Sequence, residues 1–230
     1  MQTTVKMLVA ACAALIFSST AQGNSITNGS FETPVVPPGS FTNFAIGSSG
    51  ITGWTVIGAG SDVSIVSTTF AQNGVAFEAE DGNQWLDLTG DGSNSAEGIQ
   101  QTVATSSCTN YDLTFFVGNT SGGGIFGTTS TVGLDINGSQ VSTFTNSNPD
   151  LTGLNWEQFT YGFTATGAST TIGFINLDPP SDNSNGLDNV DLEVGTTTSP
   201  IPEPSTFGLL GFGLALAAIA SIKYRTPRVV

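Results

Sequence analysis

The stretch Thr131-Val132-Gly133-Leu134-Asp135-Ile136-Asn137-Gly138-Ser139-Gln140-Val141-Ser142-Thr143-Phe144 decides the fold class. Val132, Leu134 and Ile136 alternate with Gly133 and Asp135, the period of a half-buried strand. Asn137-Gly138 interrupts the alternation, and this dipeptide suits the two positive-φ positions of a type I′ turn. The run predicts a hairpin that pairs Thr131–Ile136 with Ser139–Phe144. The same period extends outward along the chain. Tyr111-Asp112-Leu113-Thr114-Phe115 alternates; Phe159, Tyr161, Phe163 and Ala165 share a face, as do Ile172 and Phe174, and Val190, Leu192 and Val194. No segment of the domain carries helical periodicity, and its Thr, Val and Ile agree with strands. Residues 117–130, with Gly122-Gly123-Gly124, read as a long mobile loop. The expected fold is all-β: a two-sheet antiparallel β-sandwich, or jelly roll, of about eight to ten strands.

Charge narrows the chemistry. The chain has four Lys and Arg, and these are Lys6, Lys223, Arg225 and Arg228, all near the ends. It has no His, and of its 18 Asp and Glu only Glu203 lies outside the central domain. A domain without cations cannot replace the counterions of a phosphate backbone, which argues against nucleic acid as a partner. Ser-His-Asp and Cys-His catalysis lack their base, and zinc lacks His or multiple Cys. Hard-cation binding by oxygen ligands and carboxylate acid–base work stay open. Cys12 falls in the leader, so Cys108 is alone and is read as a buried or strand-end residue.

The two ends read as targeting segments. Lys6, the apolar run Met7 to Phe17 and the small-x-small site Ser19-Thr20-Ala21 make residues 1–23 a signal peptide, cleaved after Ala21 or Gly23 by signal peptidase once the secretion translocon has exported the chain. The run is too short for an uncleaved span. Val9-Ala10-Ala11-Cys12 is similar to a lipoprotein box, but the apolar run continues past Cys12. Residues 24–195 form the β-sandwich domain, and 196–206 a linker with Pro202-Glu203-Pro204. Residues 207–222 are an apolar transmembrane helix, and 223–230 a basic tail left in the cytoplasm. The span is short and should sit nearly upright or thin the bilayer.

Pro202-Glu203-Pro204, the apolar helix and the basic tail, in that order, resemble the PEP-CTERM sorting signal of Gram-negative bacteria. The resemblance implies an exosortase as partner, a membrane cysteine transpeptidase that cuts near the Pro-Glu-Pro motif. It also implies a transient membrane anchor, then a place at the cell surface or in the extracellular matrix. Members of this group accompany exopolysaccharide and biofilm production.

A second resemblance covers the domain. Asn28-Gly29-Ser30-Phe31-Glu32, Gly53-Trp54-Thr55-Val56, Gln84-Trp85-Leu86-Asp87-Leu88 and Gly186-Leu187-Asp188-Asn189-Val190-Asp191-Leu192 occur in that order. The set resembles the galactose-binding-like jelly roll of many carbohydrate-binding modules. In that fold the first and last strands lie side by side. The resemblance implies a structural Ca²⁺ with Glu32 and Asp188 as side-chain ligands, against the reading of both as solvated strand-end acids. Trp85, Gln84 and Asp87 are the candidate ligand-binding residues: an aromatic for stacking on a sugar and polar groups for its hydroxyls. Trp54 reads as core. Asp87-x-Thr89-x-Asp91-Gly92 lacks the Glu that closes an EF-hand and reads as a turn. Glu78, Glu80 and Asp81 read as a solvated acidic loop, and Asp178, Asp182 and Asn183 as turn formers.

No pair of the many acids is singled out for catalysis, so the expected function is non-enzymatic. It is a carbohydrate-binding module of an exported envelope or matrix protein, with exopolysaccharide as partner. The alternative is a structural or adhesive matrix protein stabilised by calcium. If exosortase reads Pro202-Glu203-Pro204, Glu203→Ala leaves the exported protein membrane-bound, and fractionation of cells and medium measures this. Undiminished release of the variant assigns the cutting to other residues.

Overall fold

The computed structural model describes residues 25–91, 96–122, 125–179 and 184–195. The signal peptide, sorting motif, membrane helix and basic tail lie outside these residues, as do Asp182 and Asn183. The described residues belong to a compact unit that ends at Gly195. They contain no α-helix, and so none long and apolar enough to cross a membrane.

Two antiparallel sheets face each other. One has six strands in the order β1 (Phe41–Ala45), β3 (Asp62–Ser67), β6 (Gln84–Asp87), β13 (Gly186–Val194), β8 (Asn110–Asn119) and β11 (Asn155–Thr164). The other has five: β10 (Ser139–Asn146), β9 (Ser130–Ile136), β12 (Ser169–Asn176), β7 (Glu97–Ala104) and β2 (Thr55–Gly58). A separate short hairpin joins β4 (Ala71–Gln72) to β5 (Val75–Ala76). The β-sandwich is as the alternation implies, with a few more strands than the turn spacing suggests.

The hairpin that opened the sequence reading is present. Ser139 pairs with Ile136, and Asn137 and Gly138 take φ of 54° and 77°, as a type I′ turn requires. A bulge between Gln140 and Ser142 then shifts the register. The alternating residues face inward: Leu113, Phe115, Val132, Leu134, Ile172, Phe174, Val190 and Leu192 are buried between the sheets. Trp54 joins them, 2% exposed, with its ring 5.6 Å from Phe31 and its Nε1 donating to the Asn28 carbonyl at 3.1 Å. Such pairs add about 0.5–1.5 kcal/mol each beyond the area they bury.

Two expectations are corrected here. Residues 117–119 are not loop but the last three residues of β8, and Ser130 already opens β9. Gly118 is a strand residue whose missing side chain leaves room for Trp156. A Cβ there would lie 2.7 Å from Trp156 Cζ3, and one at Gly186, its cross-strand neighbour, 2.8 Å from Cη2. Of the two readings of Cys108, buried or strand-end, burial is corrected: the residue is exposed, in the turn that leads into β8, at φ 61°. The adjacency of first and last segments holds in reduced form. Ser25 N–H donates to the Leu192 carbonyl at 3.1 Å and Val190 N–H to the Gly29 carbonyl at 3.0 Å, so the entry segment runs beside β13 although residues 25–30 are not themselves a strand.

Gly118→Val drives a side chain into the Trp156 ring, and the expected loss is about 1–3 kcal/mol of stability. Denaturant unfolding measures it, and adding Trp156→Ala to the variant should recover part of the loss. Unchanged stability in the single variant would mean that Trp156 does not rest on this glycine pair.

Candidate functional site

The outer face of the six-stranded sheet carries a second apolar cluster: Val66, Val75, Phe77, Trp85 and Phe126, with Phe70, Leu154 and Trp156 against it. Register explains how it begins. Phe41 pairs with Val66 and Val66 with Trp85, so these three stand in one row across β1, β3 and β6. Asn43, Ser64 and Asp87 make the next row by the same pairing. Inner-face neighbours Val63, Ile65 and Leu86 belong to the main core instead, because successive side chains point to opposite faces.

The β4–β5 hairpin lies over this outer face. Asn73-Gly74 turns it, at φ 53° and 85°, and Phe70 and Phe77 flank the turn. Two indoles hold the chain that follows: Trp85 Nε1 donates to the Phe77 carbonyl at 3.0 Å and Trp156 Nε1 to the Glu78 carbonyl at 2.9 Å. Two carboxylates then clip the next turn. Asp188 Oδ2 accepts from the backbone N–H groups of Glu80 and Asp81 at 2.9 and 3.0 Å. Glu32 Oε1 accepts from those of Asn83 and Gln84 at 2.6 and 2.8 Å. Asn189 Nδ2 donates to Glu80 Oε2 at 2.8 Å, and Ser30 Oγ to Asp81 Oδ2 at 2.7 Å. The segment read as a solvated acidic loop is thus a strap whose backbone is held from both ends of the domain.

Between this strap and the edge of the sheet lies a cleft of about 340 Å³. Phe41, Phe70, Phe77 and Phe126 form its aromatic wall, and Trp85 its floor. Phe41 and Phe70 meet edge to face at 5.4 Å, Phe70 and Phe77 at 5.6 Å, and Phe77 and Phe126 edge to face at 5.4 Å. Ser64, Gln72, Asp87 and Asp91 supply the polar lining. Asp87 is fixed in place: its Oδ1 accepts from Thr89 N at 3.0 Å, Thr89 Oγ1 at 2.8 Å and Asn185 N at 3.3 Å. Asp91 is exposed; Asn43 Nδ2 reaches its Oδ2 at 3.4 Å, and its own N–H donates to Asp62 Oδ1 at 2.9 Å.

Of the three ligand-binding candidates, the structure brings Trp85 and Asp87 to the cleft and leaves Gln84 out of it. Gln84 is buried on the opposite side of β6, where its amide accepts from Val36 N and donates to the carbonyls of Phe31 and Pro34. Trp85 is 1% exposed, stacked on Phe77 at 6.0 Å and met edge-on by Trp156 at 5.9 Å. It is a floor rather than an exposed platform, because the hairpin covers it. The phenylalanines of the wall escaped the sequence reading. Asn73-Gly74 was the available signal, a second hairpin dipeptide with a phenylalanine on either side.

Glu32 and Asp188, which the resemblance implies as calcium ligands, both reach the turn at residues 80–84 and accept from its backbone amides. Asp188 is fully buried, and its Oδ1 also takes Asn189 N at 2.8 Å. Ca²⁺ takes six to eight oxygens, and among the described residues no three Asp, Glu, His or Cys side chains converge as metal ligands.

The described residues thus form an antiparallel jelly-roll sandwich with a cleft outside the longer sheet. Residues 24–192 match the family described as protein of unknown function (DUF642), and the chain belongs to that family. Residues 200–223 match the PEP-CTERM protein-sorting motif, which marks the chain for export and for processing by an exosortase at the cell envelope. No curated protein matches the chain. Among solved structures it is similar to the Stig cyclase Fisc from Fischerella sp. TAU, in complex with (3Z)-3-(1-methyl-2-pyrrolidinylidene)-3H-indole. The TM-score is 0.56 at 20% identity, over 76% of this chain and 98% of that one. It is also similar to an apo cyclase from Fischerella sp. (TM-score 0.55, 21% identity, 77% and 98%). TmCBM61 in complex with beta-1,4-galactotriose gives a TM-score of 0.48 at 16% identity, over 75% and 99%. At these identities the likeness is one of fold.

Burial pushes the Asp188 carboxyl up to about 8, against three N–H donors that pull it down and with Glu80 adding to the rise. The folded protein then keeps a proton that the unfolded chain releases near 3.8. Its stabilising effect is full below about pH 4 and is lost as pH rises through about 8. Thermal melts should therefore fall from pH 4 to pH 8, and Asp188→Asn should flatten that slope. A slope unchanged by the substitution would assign it to the other acids.

Proposed function

We propose that this exported domain is a non-catalytic binding module for a glycan of the envelope or extracellular matrix, and that the cleft beside the β4–β5 hairpin is its site. The cleft's composition carries the reading: a wall of four phenylalanines for the C–H face of a pyranose, and Asp87, Asp91, Ser64 and Gln72 for its hydroxyls. Asp87, held by three donors on one oxygen, is a fixed acceptor for a hydroxyl rather than a mobile acid. With no Lys, Arg or His in residues 24–195, the domain has no counter-charge for a polyanion, so uronate-rich and sulfated polymers are disfavoured. The exopolysaccharide and biofilm association belongs to this same reading.

The Phe-rich wall also suits a flat aromatic molecule, the class of the indole compound in the Fisc structure. Calcium is a separate proposal. Addition of Ca²⁺ or chelator to the melts tests it, and a shift of several degrees that Asp188→Asn largely removes assigns the ion to the Glu32–Asp188 clip. No shift leaves the amide clip as the whole account.

Affinity electrophoresis of the exported protein against a panel of neutral and acidic matrix polysaccharides tests the glycan site. Retardation is expected on neutral polymers, with Phe41→Ala or Phe70→Ala weakening it about tenfold or more, and Asp112→Asn, on β8 and not part of the cleft lining, leaving it unchanged. No retardation on any polymer, with an indole-type compound bound instead, reassigns the cleft to small aromatic ligands.

A further inference from the structure

We propose that the cleft selects sugar units that carry a free amine. This inference rests on the glycan reading and narrows its ligand class. Three observations point to it. First, the polar end of the cleft is lined by two carboxylates, Asp87 and Asp91, and a third, Asp62, joins them through its bond to Asp91 N–H. Gly90 makes this close approach possible: it takes φ 63°, and a Cβ there would lie 2.2 Å from Asp62 Oδ1. Second, nothing positive offsets these charges, since residues 24–195 contain no Lys, Arg or His. Third, the aromatic wall stands beside the acidic end, so a pyranose resting its apolar face on Phe41 and Phe70 brings its ring substituents toward Asp91.

A neutral hydroxyl satisfies such an end only as a hydrogen-bond donor. An ammonium group offers three donors and the missing charge together. Opposite charges within about 4–6 Å also gain from a partly enclosed, low-dielectric wall. N-acetylation removes the charge, and a carboxylated sugar meets repulsion. The ligand class is therefore a deacetylated hexosamine polymer rather than a neutral glucan or a polyuronate.

The exported protein can be titrated calorimetrically, at mildly acidic pH and low salt, with β-1,4-linked oligomers of glucosamine, N-acetylglucosamine and glucose of equal length. The glucosamine oligomer should bind about tenfold or more tighter than the other two, and added salt should erode that margin. Asp91→Asn, at an exposed position that leaves the fold intact, should remove most of the margin. The charge-matched Asp112→Asn, outside the cleft, should keep it. Equal loss in both variants would show attraction by bulk negative charge and overturn the proposal. Equal binding of all three oligomers would overturn it and leave the glycan reading standing. Failure of the glucosamine oligomer to bind also overturns it, and the polysaccharide panel then decides the glycan reading by itself.

Discussion

Residues 24–195 contain no cationic side chain, so the carboxyl groups that this domain draws inward rely on N–H and O–H donors or, as at Asp188, on keeping a proton. An unmet buried carboxylate would cost several kcal/mol or take up a proton. Asp188 is met by three backbone amides, Glu32 by two, and Asp87 by two amides and a hydroxyl. Asp178 takes the Thr131 amide. At the exposed surface Asp150 does the same with the amide and the hydroxyl of Thr152, which hold its carboxyl below the usual range. Acids that elsewhere pair with Arg or Lys serve here as staples for turns.

The most consequential of these staples hold the strap over the outer face of the six-stranded sheet. Glu32 comes from the entry segment and Asp188 from the last strand, so the turn at residues 80–84 joins the beginning of the domain to its end. Trp85 and Trp156 fix the preceding carbonyls of Phe77 and Glu78 from the sheet below. The Trp156 indole needs space, and Gly118 and Gly186 provide it on adjacent strands. The strap in turn places Phe70 and Phe77 against the outer face, and the cleft is the gap left between them and Phe41 at the sheet edge. Its geometry follows from the staples, although none of the strap's bonds lies inside it.

The PEP-CTERM motif marks the chain for export and processing at the cell envelope, and the glycan reading proposed for the cleft is consistent with that place. On that reading the domain's unbalanced negative charge bears on which polymers approach it. The two-sheet scaffold is shared with a Stig cyclase at 20% identity, so the scaffold alone does not choose between binding and catalysis, and the lining of the cleft has to.

The all-β class, the Asn137-Gly138 hairpin and the inward faces of β8, β9, β12 and β13 were legible from period two alone, because a strand half-buried in a sandwich must alternate. The lack of cations was legible too, and with it the classes of chemistry the domain cannot perform. Alternation states which side of a strand is apolar; it does not state what covers the other side. Trp85 was therefore recognisable as a site-facing residue, but its burial under Phe77 and Phe126 was not. Gln84 looked as available as Asp87, yet the two point to opposite faces of β6, and only the neighbouring loops decide that one is consumed by backbone and the other lines a cleft. Glu32 and Asp188 were found by their motifs, while their shared occupation with the amides of residues 80–84 depends on segments separated by about fifty and a hundred positions. The sequence by itself determined the layers and the charge. The tertiary structure decided the site, because a cleft is made by elements that meet only after the sheets have formed.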